Sequence, residues 1–170
     1  WGEVKAAYYG MITLVDDNIG RVLEALKQRG IEKDTLIMFT NDHGELLGDH
    51  GLLFKGPFHY DCIIKAPMII KWPGVIPQGS RYSQITEHTD IMPTLLEYAG
   101  VRPPYGVQGC SMAPILRGDK GAGKEYAMTE FNCYDWGLSV KTLTGRDYKL
   151  TCYAGEEFGE LYDRNRDPEE

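Results

Sequence analysis

The sequence predicts an open α/β sheet with flanking helices, followed by a small antiparallel α+β subdomain. Three observations predict it. Tyr8, Met11, Ile12, Val15, Ile19, Val22, Leu23 and Leu26 recur at spacings of three and four, which is the period of a long amphipathic helix over 4–29. A short apolar run, Leu36-Ile37-Met38-Phe39-Thr40, follows it and ends in the polar sequence Asn41-Asp42-His43-Gly44. After residue 118 the texture changes to short runs separated by turn residues, the pattern of an antiparallel meander.

Each element follows from local chemistry. Gly30 sits where a residue with left-handed freedom stops a helix. The run 36–40 has the length and helical predecessor of a buried parallel strand. In such sheets ligands bind beyond the carboxyl ends of strands, which draws attention to 41–44. Gly44, Gly48, Gly51, Gly56 and Pro57 make 44–57 an irregular loop. A short helix is expected over 59–64 and a second apolar strand over 67–72, closed by Pro73-Gly74. A turn over 73–81 leads to a short strand over 82–85. Residues 90–99 form a helix, capped by Thr89 or Asp90 and ended by Gly100. A Pro/Gly-rich connection, 102–109, precedes a helical turn near 112–116. Gly121-Ala122-Gly123-Lys124 resembles a linker, and strands are expected over 126–132, 138–144 and 148–153, with Gly145-Arg146-Asp147 as a turn. The expected organisation is an α/β body over 1–118 and the antiparallel subdomain over 119–170.

Composition bounds the function. With 170 residues, 42% of them hydrophobic, the chain can bury a core without disulfide or metal staples. The 18 Lys and Arg against 25 Asp and Glu leave a net charge of −7, which excludes nucleic acid as a main partner. No run approaches the ~20 apolar residues that span a bilayer. Cys62, Cys110, Cys133 and Cys152 show no short metal-binding spacing and read as buried free thiols, with one bridge open to an oxidising compartment. Asp16-Asp17 reads as a polar helix face, Trp72 as packing, and Lys141, Arg146, Lys149 and Arg164 as surface charges.

The richest window runs from Thr40 to Lys55 and holds Asp42, His43, Glu45, Asp49, His50 and Lys55. Asp42 and His43 follow a strand directly, so the sheet fixes their backbone. A carboxylate and an imidazole there can ligate a divalent cation. A lysine returning to the same place can pair with an anion on that cation, the arrangement that stabilises charge in phosphoryl or sulfuryl transfer. Glu45, Asp49 and His50 also fit a solvated loop. His59 and Tyr60 are candidates to line a substrate pocket or to start a packed helix. Trp136, with Tyr134 and Asp135, is a candidate for leaving-group recognition, and Asp90 beside His88 is a natural helix cap.

Thr40-Asn41-Asp42-His43-Gly44-Glu45-Leu46-Leu47-Gly48-Asp49-His50-Gly51, with Lys55 thirteen residues after Asp42, resembles the sulfatase family of the alkaline phosphatase superfamily. The likeness continues through Val15 to Gly20, Ala66 to Ile70 with Pro73-Gly74, His88 to Leu96 with Ala99-Gly100, Gly109 to Leu116, and Glu160 to Asp163 with Asp167-Pro168. It implies part of an alkaline-phosphatase-like sheet. By resemblance, Asp42 and His43 are two metal ligands and Lys55 contacts the sulfate oxygens. The family metal is usually calcium, and the imidazole of His43 leaves manganese open. Substrate-pocket candidates are His50, His59 and Trp136.

The family reaction uses a formylglycine made from Cys or Ser in a Cys/Ser-x-Pro-x-Arg motif. None of the four cysteines has that context, nor do Ser80, Ser83, Ser111 and Ser139. The motif order matches the C-terminal portion of a sulfatase, so the nucleophile and the first-strand carboxylates are expected upstream. The chain by itself is expected to be inactive. The expected partner is a sulfate-ester small molecule or a sulfated glycan. A phosphonate or phosphodiester hydrolase of the same superfamily and a non-catalytic binding module are the competing readings. The resemblance also points to a periplasmic, secreted or lysosomal setting.

Overall fold

The computed structural model describes residues 1–170 and divides into two compact units, Trp1–Gln78 and Gly79–Glu170. In the first unit, α1 spans Gly2–Gln28. It ends where Gly30 takes φ +68° and its amide bonds back to the Lys27 carbonyl at 3.0 Å, while Ile31 bonds to Leu26 at 3.1 Å. No residue of α1 is buried. Tyr8, Ile19, Leu23 and Leu26 are half-buried, whereas Met11, Ile12, Val15 and Val22 are exposed. The expected apolar stripe is therefore only partly covered.

A 3-10 turn, Glu32–Asp34, leads into β1, Ile37–Thr40. Strand β1 pairs antiparallel with β2, Met68–Lys71, with Ile37 opposite Lys71 and Thr40 opposite Met68. This corrects the expectation of a buried parallel strand, and Phe39 at 38% exposure corrects its burial. The physical reason is non-local. The connection from β1 to β2 folds back on itself where the Gly44 amide donates to the Ile63 carbonyl at 2.7 Å. The chain then turns through α2, Asp61–Ile64, and re-enters beside β1 in the opposite direction. Lys71 reaches Glu32 at 2.6 Å, and the Trp72 indole donates to the Lys33 carbonyl at 3.1 Å, so the start of β1 and the end of β2 are tied together.

The second unit is organised by a buried carboxylate. Residues 82–85 form no strand; a single bridge joins Ile85 to Lys124. A 3-10 turn, His88–Asp90, runs into α3, Ile91–Tyr98. Asp90 is 2% exposed and yet fully partnered. One of its oxygens accepts the Glu87 amide at 2.8 Å, and the other accepts the Cys110 amide at 2.8 Å and the Lys124 ammonium at 2.6 Å. The Glu87 side chain completes a capping box, accepts the Met128 amide at 2.7 Å and pairs with Lys124. Asp90 takes the N-cap position of α3, as expected, and also shares a reciprocal capping box with Glu87 at the preceding turn. Burial works against the Lys124 charge, but the bonds to Asp90 and Glu87 outweigh it and raise its pKa.

Thr94 donates to the Asp90 carbonyl at 2.5 Å and accepts the Met112 amide at 2.8 Å, which seats α4, Ala113–Leu116, against α3. Met112, Ala113, Ile115 and Leu116 form the local core. The boundary expected near 118 falls inside this unit, because Lys124 and Met128 bond back across it to Glu87 and Asp90.

Four antiparallel strands close the unit in the order β3–β4–β5–β6: Ala127–Cys133, Leu138–Thr144, Tyr148–Tyr153 and Gly159–Asp163. The fourth strand is a structural addition to the three expected. Val140, Thr142, Lys149 and Thr151 lie on the buried face, with the two threonine hydroxyls 2.7 Å apart. Lys149 is fully buried, not a surface charge; it pairs with Glu170 and lies 5.5 Å over the Tyr162 ring. The opposite face carries Met128, Leu143, Leu150 and Leu161 directly in register, and all four are exposed. All four cysteines are free; Cys110 and Cys152 are exposed and Cys62 and Cys133 half-buried, which corrects the reading of buried thiols.

Replacing Asp90 with Ala removes the cap, strands the Cys110 amide and leaves Lys124 short of a partner. Urea unfolding is expected to show a loss of about 3 kcal/mol. A loss below ~1 kcal/mol would show that Asp90 does not organise the unit.

Candidate metal and anion site

The site is built at the end of β1. Thr40 closes the strand, and the next residues turn sharply with local bonds. The Asn41 amide group donates to the His43 carbonyl at 2.9 Å, and the His43 backbone amide donates to the Asp42 carboxylate at 3.0 Å. Asp42 is 85% exposed on its side chain, so its charge costs little desolvation. The amide hydrogens of His43 and of Asp42 itself hold its carboxyl below the usual aspartate range, with the Lys55 ammonium adding to the effect.

The His43 ring is oriented by its other nitrogen. Nδ1 lies 2.8 Å from the Gly44 carbonyl oxygen, which can only accept, so Nδ1 carries the proton. The unprotonated nitrogen is then Nε2. It lies 3.0 Å from Lys55 Nζ, which donates to it, and 3.5 Å from the second Asp42 oxygen. Three functional groups predicted from spacing thus meet at one atom. A backbone carbonyl fixing the imidazole tautomer is the arrangement that prepares a histidine to ligate a metal.

Gly44 makes this possible. A Cβ built there would overlap the Cys62 carbonyl oxygen, so any side chain would push the turn off the segment before α2. The same residue supplies the carbonyl that orients His43 and the amide that bonds to Ile63.

The remaining candidates sit on other segments of the chain. His50 sits on a 3-10 turn, Asp49–Gly51, and its ring stacks on Tyr60 with centroids 3.7 Å apart and planes 13° apart. His59 is buried at 8% exposure, ahead of α2. Trp136 is 71% exposed on a 3-10 turn, Tyr134–Trp136, in the second unit. Gly44 and the His50–Tyr60 stack were not evident from sequence. Four glycines between 44 and 56 conceal which of them is confined, and ring stacking leaves no periodic signal.

As a cation site the arrangement is a half. Asp42 and His43 Nε2 offer a carboxylate oxygen and an imidazole nitrogen to the same point, a donor pair that suits a divalent ion. No cluster of three or more His, Cys, Asp or Glu side chains poised for a metal occurs in the chain.

Comparison with known proteins gives the family of the chain. Residues 3–101 match the family model described as Sulfatase, and the chain belongs to the sulfatase family. It is 34% identical over 170 residues to an N-acetylglucosamine-6-O-sulfatase of Bacteroides thetaiotaomicron, a match covering 96% of this chain and 30% of that protein. It is also 34% identical to an arylsulfatase of Clostridium perfringens, covering 99% of this chain and 35% of the relative. Among solved structures, BT4656 in complex with its substrate D-glucosamine-2-N,6-O-disulfate matches with a TM-score of 0.86 at 32% identity, over 93% of this chain and 33% of that one. The phosphonate monoester hydrolase of Agrobacterium radiobacter matches with a TM-score of 0.88 at 34% identity, over 98% and 36%. The fold is therefore that of the alkaline phosphatase superfamily, and the chain spans about a third of the length of the relatives it matches.

Gly44→Ala is expected to destabilise the chain by about 2 kcal/mol or more, because backbone must move to admit the methyl group. Gly10→Ala serves as the contrast. A Cβ at Gly10 meets nothing within 4 Å on exposed helix α1. That change is expected to stabilise by about 0.5–1 kcal/mol. Equal effects of the two substitutions in thermal unfolding would refute the close approach at Gly44.

Proposed function

We propose that the whole protein is a sulfuric ester hydrolase in which this chain supplies one side of the active site. The observation that carries the reading is the meeting of Asp42, His43 and Lys55 at the end of β1, in a chain of the sulfatase family. Asp42 and His43 would hold a divalent cation, calcium by family habit, with manganese compatible with the imidazole. Such an ion, when bound, polarises a sulfate oxygen as a Lewis acid. Lys55 is exposed and reaches the same point, so its ammonium can bond to a non-bridging sulfate oxygen and offset the charge that develops as the ester bond breaks. To do so it must leave His43 Nε2, which its flexible stem permits. The amide hydrogens that lower the Asp42 pKa favour its ionised form, the form that can ligate a cation.

The family's formylglycine motif, Cys/Ser-x-Pro-x-Arg, has no counterpart among these 170 residues. The substrate class is a sulfated small molecule, and a sulfated sugar is favoured because BT4656 was solved with a sulfated glucosamine. A second reading is a phosphonate monoester hydrolase, supported by the likeness to the Agrobacterium radiobacter enzyme. Cation-plus-lysine chemistry serves either tetrahedral anion.

Lys55→Ala in the whole enzyme is expected to lower kcat/KM for an aryl sulfate by about 100- to 1000-fold. Chelation of divalent ions is expected to abolish turnover reversibly. A kcat/KM within about threefold of wild type for Lys55→Ala would sink the assignment. A higher kcat/KM for a phosphonate monoester than for aryl and sugar sulfates would move it to the second reading.

A further inference from the structure

The loop that carries Lys55 is built more firmly than its glycine content suggests. Its base is closed by the bond from the Gly44 amide to the Ile63 carbonyl at 2.7 Å. Within it, Leu47 bonds to Leu53 at 3.1 Å and Gly48 to Leu52 at 2.7 Å, forming a tight hairpin anchored by Leu46, which is 1% exposed. The hairpin tip is strained. Leu47 has φ +46° and His50 has φ +53°, and Glu170 is the one other non-glycine residue with positive φ. Such conformations persist where surrounding contacts enforce them, and they cluster at functional positions. At His50 the enforcing contact is visible: its ring lies flat on Tyr60, with Phe58 stacked beyond at 6.0 Å.

Lys55 lies between these two fixtures. It follows the hairpin's last cross-bonded residue, Leu53, by two positions and precedes Tyr60, the N-cap of α2, by five. The segment 54–59 is therefore a strap fastened at one end by the hairpin and at the other by α2. The His50–Tyr60 stack ties the tip of the hairpin to the far end of the strap.

We propose that the His50–Tyr60 stack is a positioning device for Lys55, holding the strap at the length that brings Nζ to His43 Nε2 and to the anion. The proposal rests on the reading above that Lys55 acts on the anion. The left-handed backbone at His50 aims the ring at Tyr60, and the stack is what that strained conformation secures. His50 and Tyr60 act through Lys55 and need not touch substrate. Loss of the ring contact lets the strap slacken, and a misplacement near 1 Å is enough to lower turnover substantially.

The test is a mutant cycle in the whole enzyme, combined with nitrogen NMR of labelled histidine. His50→Asn tolerates the left-handed backbone but lacks the ring. Tyr60→Leu removes the partner, and Tyr60→Phe keeps the stack. His50→Asn and Tyr60→Leu are expected to lower kcat/KM for an aryl sulfate by about 10- to 100-fold, and Tyr60→Phe by less than about threefold. In a Lys55→Ala background, His50→Asn is expected to cause no further loss, because the device has nothing left to position. In the metal-free protein, where Lys55 Nζ lies 3.0 Å from His43 Nε2, that nitrogen's resonance should move in His50→Asn toward its position in Lys55→Ala. Full activity in His50→Asn, or an equal loss in both backgrounds, would overturn the proposal. If His50→Asn does not fold, His50→Gly relieves the backbone strain, removes the ring and carries the same expectations. If Lys55→Ala itself is fully active, the hydrolase assignment fails separately. The resonance then decides the positioning alone, and an unmoved His43 signal in His50→Asn overturns it.

Discussion

Two stretches of backbone touch at Gly44, and the first unit depends on that contact. With no side chain in the way, the Gly44 turn lies against the Cys62 carbonyl and bonds to Ile63. This bond closes the long β1–β2 connection near its base, and the chain re-enters as β2 antiparallel to β1. The Gly44 carbonyl in turn fixes the proton on His43 Nδ1, leaving Nε2 free for Lys55 and Asp42. Topology and site chemistry thus share one residue, and neither can be altered there without the other.

The second unit relies on a different device, a buried charge with every partner in place. Asp90 accepts two backbone amides and an ammonium group, and its neighbour Glu87 accepts the amide at the head of β3. A carboxylate removed from water is tolerable only when its lone pairs are filled. Here the filling groups come from the turn, from Cys110 before α4 and from Lys124 ahead of β3, so satisfying the charge also assembles the unit.

Much of this was legible in the sequence. Strands β3, β4 and β5 are bounded by turn residues and alternate along their length, and they lie within a residue of their expected positions. Asp42, His43 and Lys55 were legible from residue type, spacing and position after a strand. The antiparallel pairing of β1 with β2 was not, because the apolar pattern of a short strand carries no sign of its partner's direction. Alternation in the sheet reveals two faces but not which one is covered. Lys149 is buried and Leu150 exposed, the reverse of what polarity suggests, because Glu170 and Tyr162 receive the lysine. Strand β6 begins with Gly159 and Glu160 and ends at Asp163, residues that read as turn in isolation.

The exposed row of Met128, Leu143, Leu150 and Leu161 sets how the chain behaves as a solute. Copies carrying a net charge of −7 repel one another at a distance. That repulsion reaches about 30 Å in 0.01 M salt and about 3 Å in 1 M. Apolar contact does not fade in this way, and sulfate or phosphate salts strengthen it. Added salt therefore removes the barrier and leaves the attraction. The solubility of the chain is therefore expected to fall as salt rises, with the apolar face of the four-stranded sheet as the surface through which copies meet.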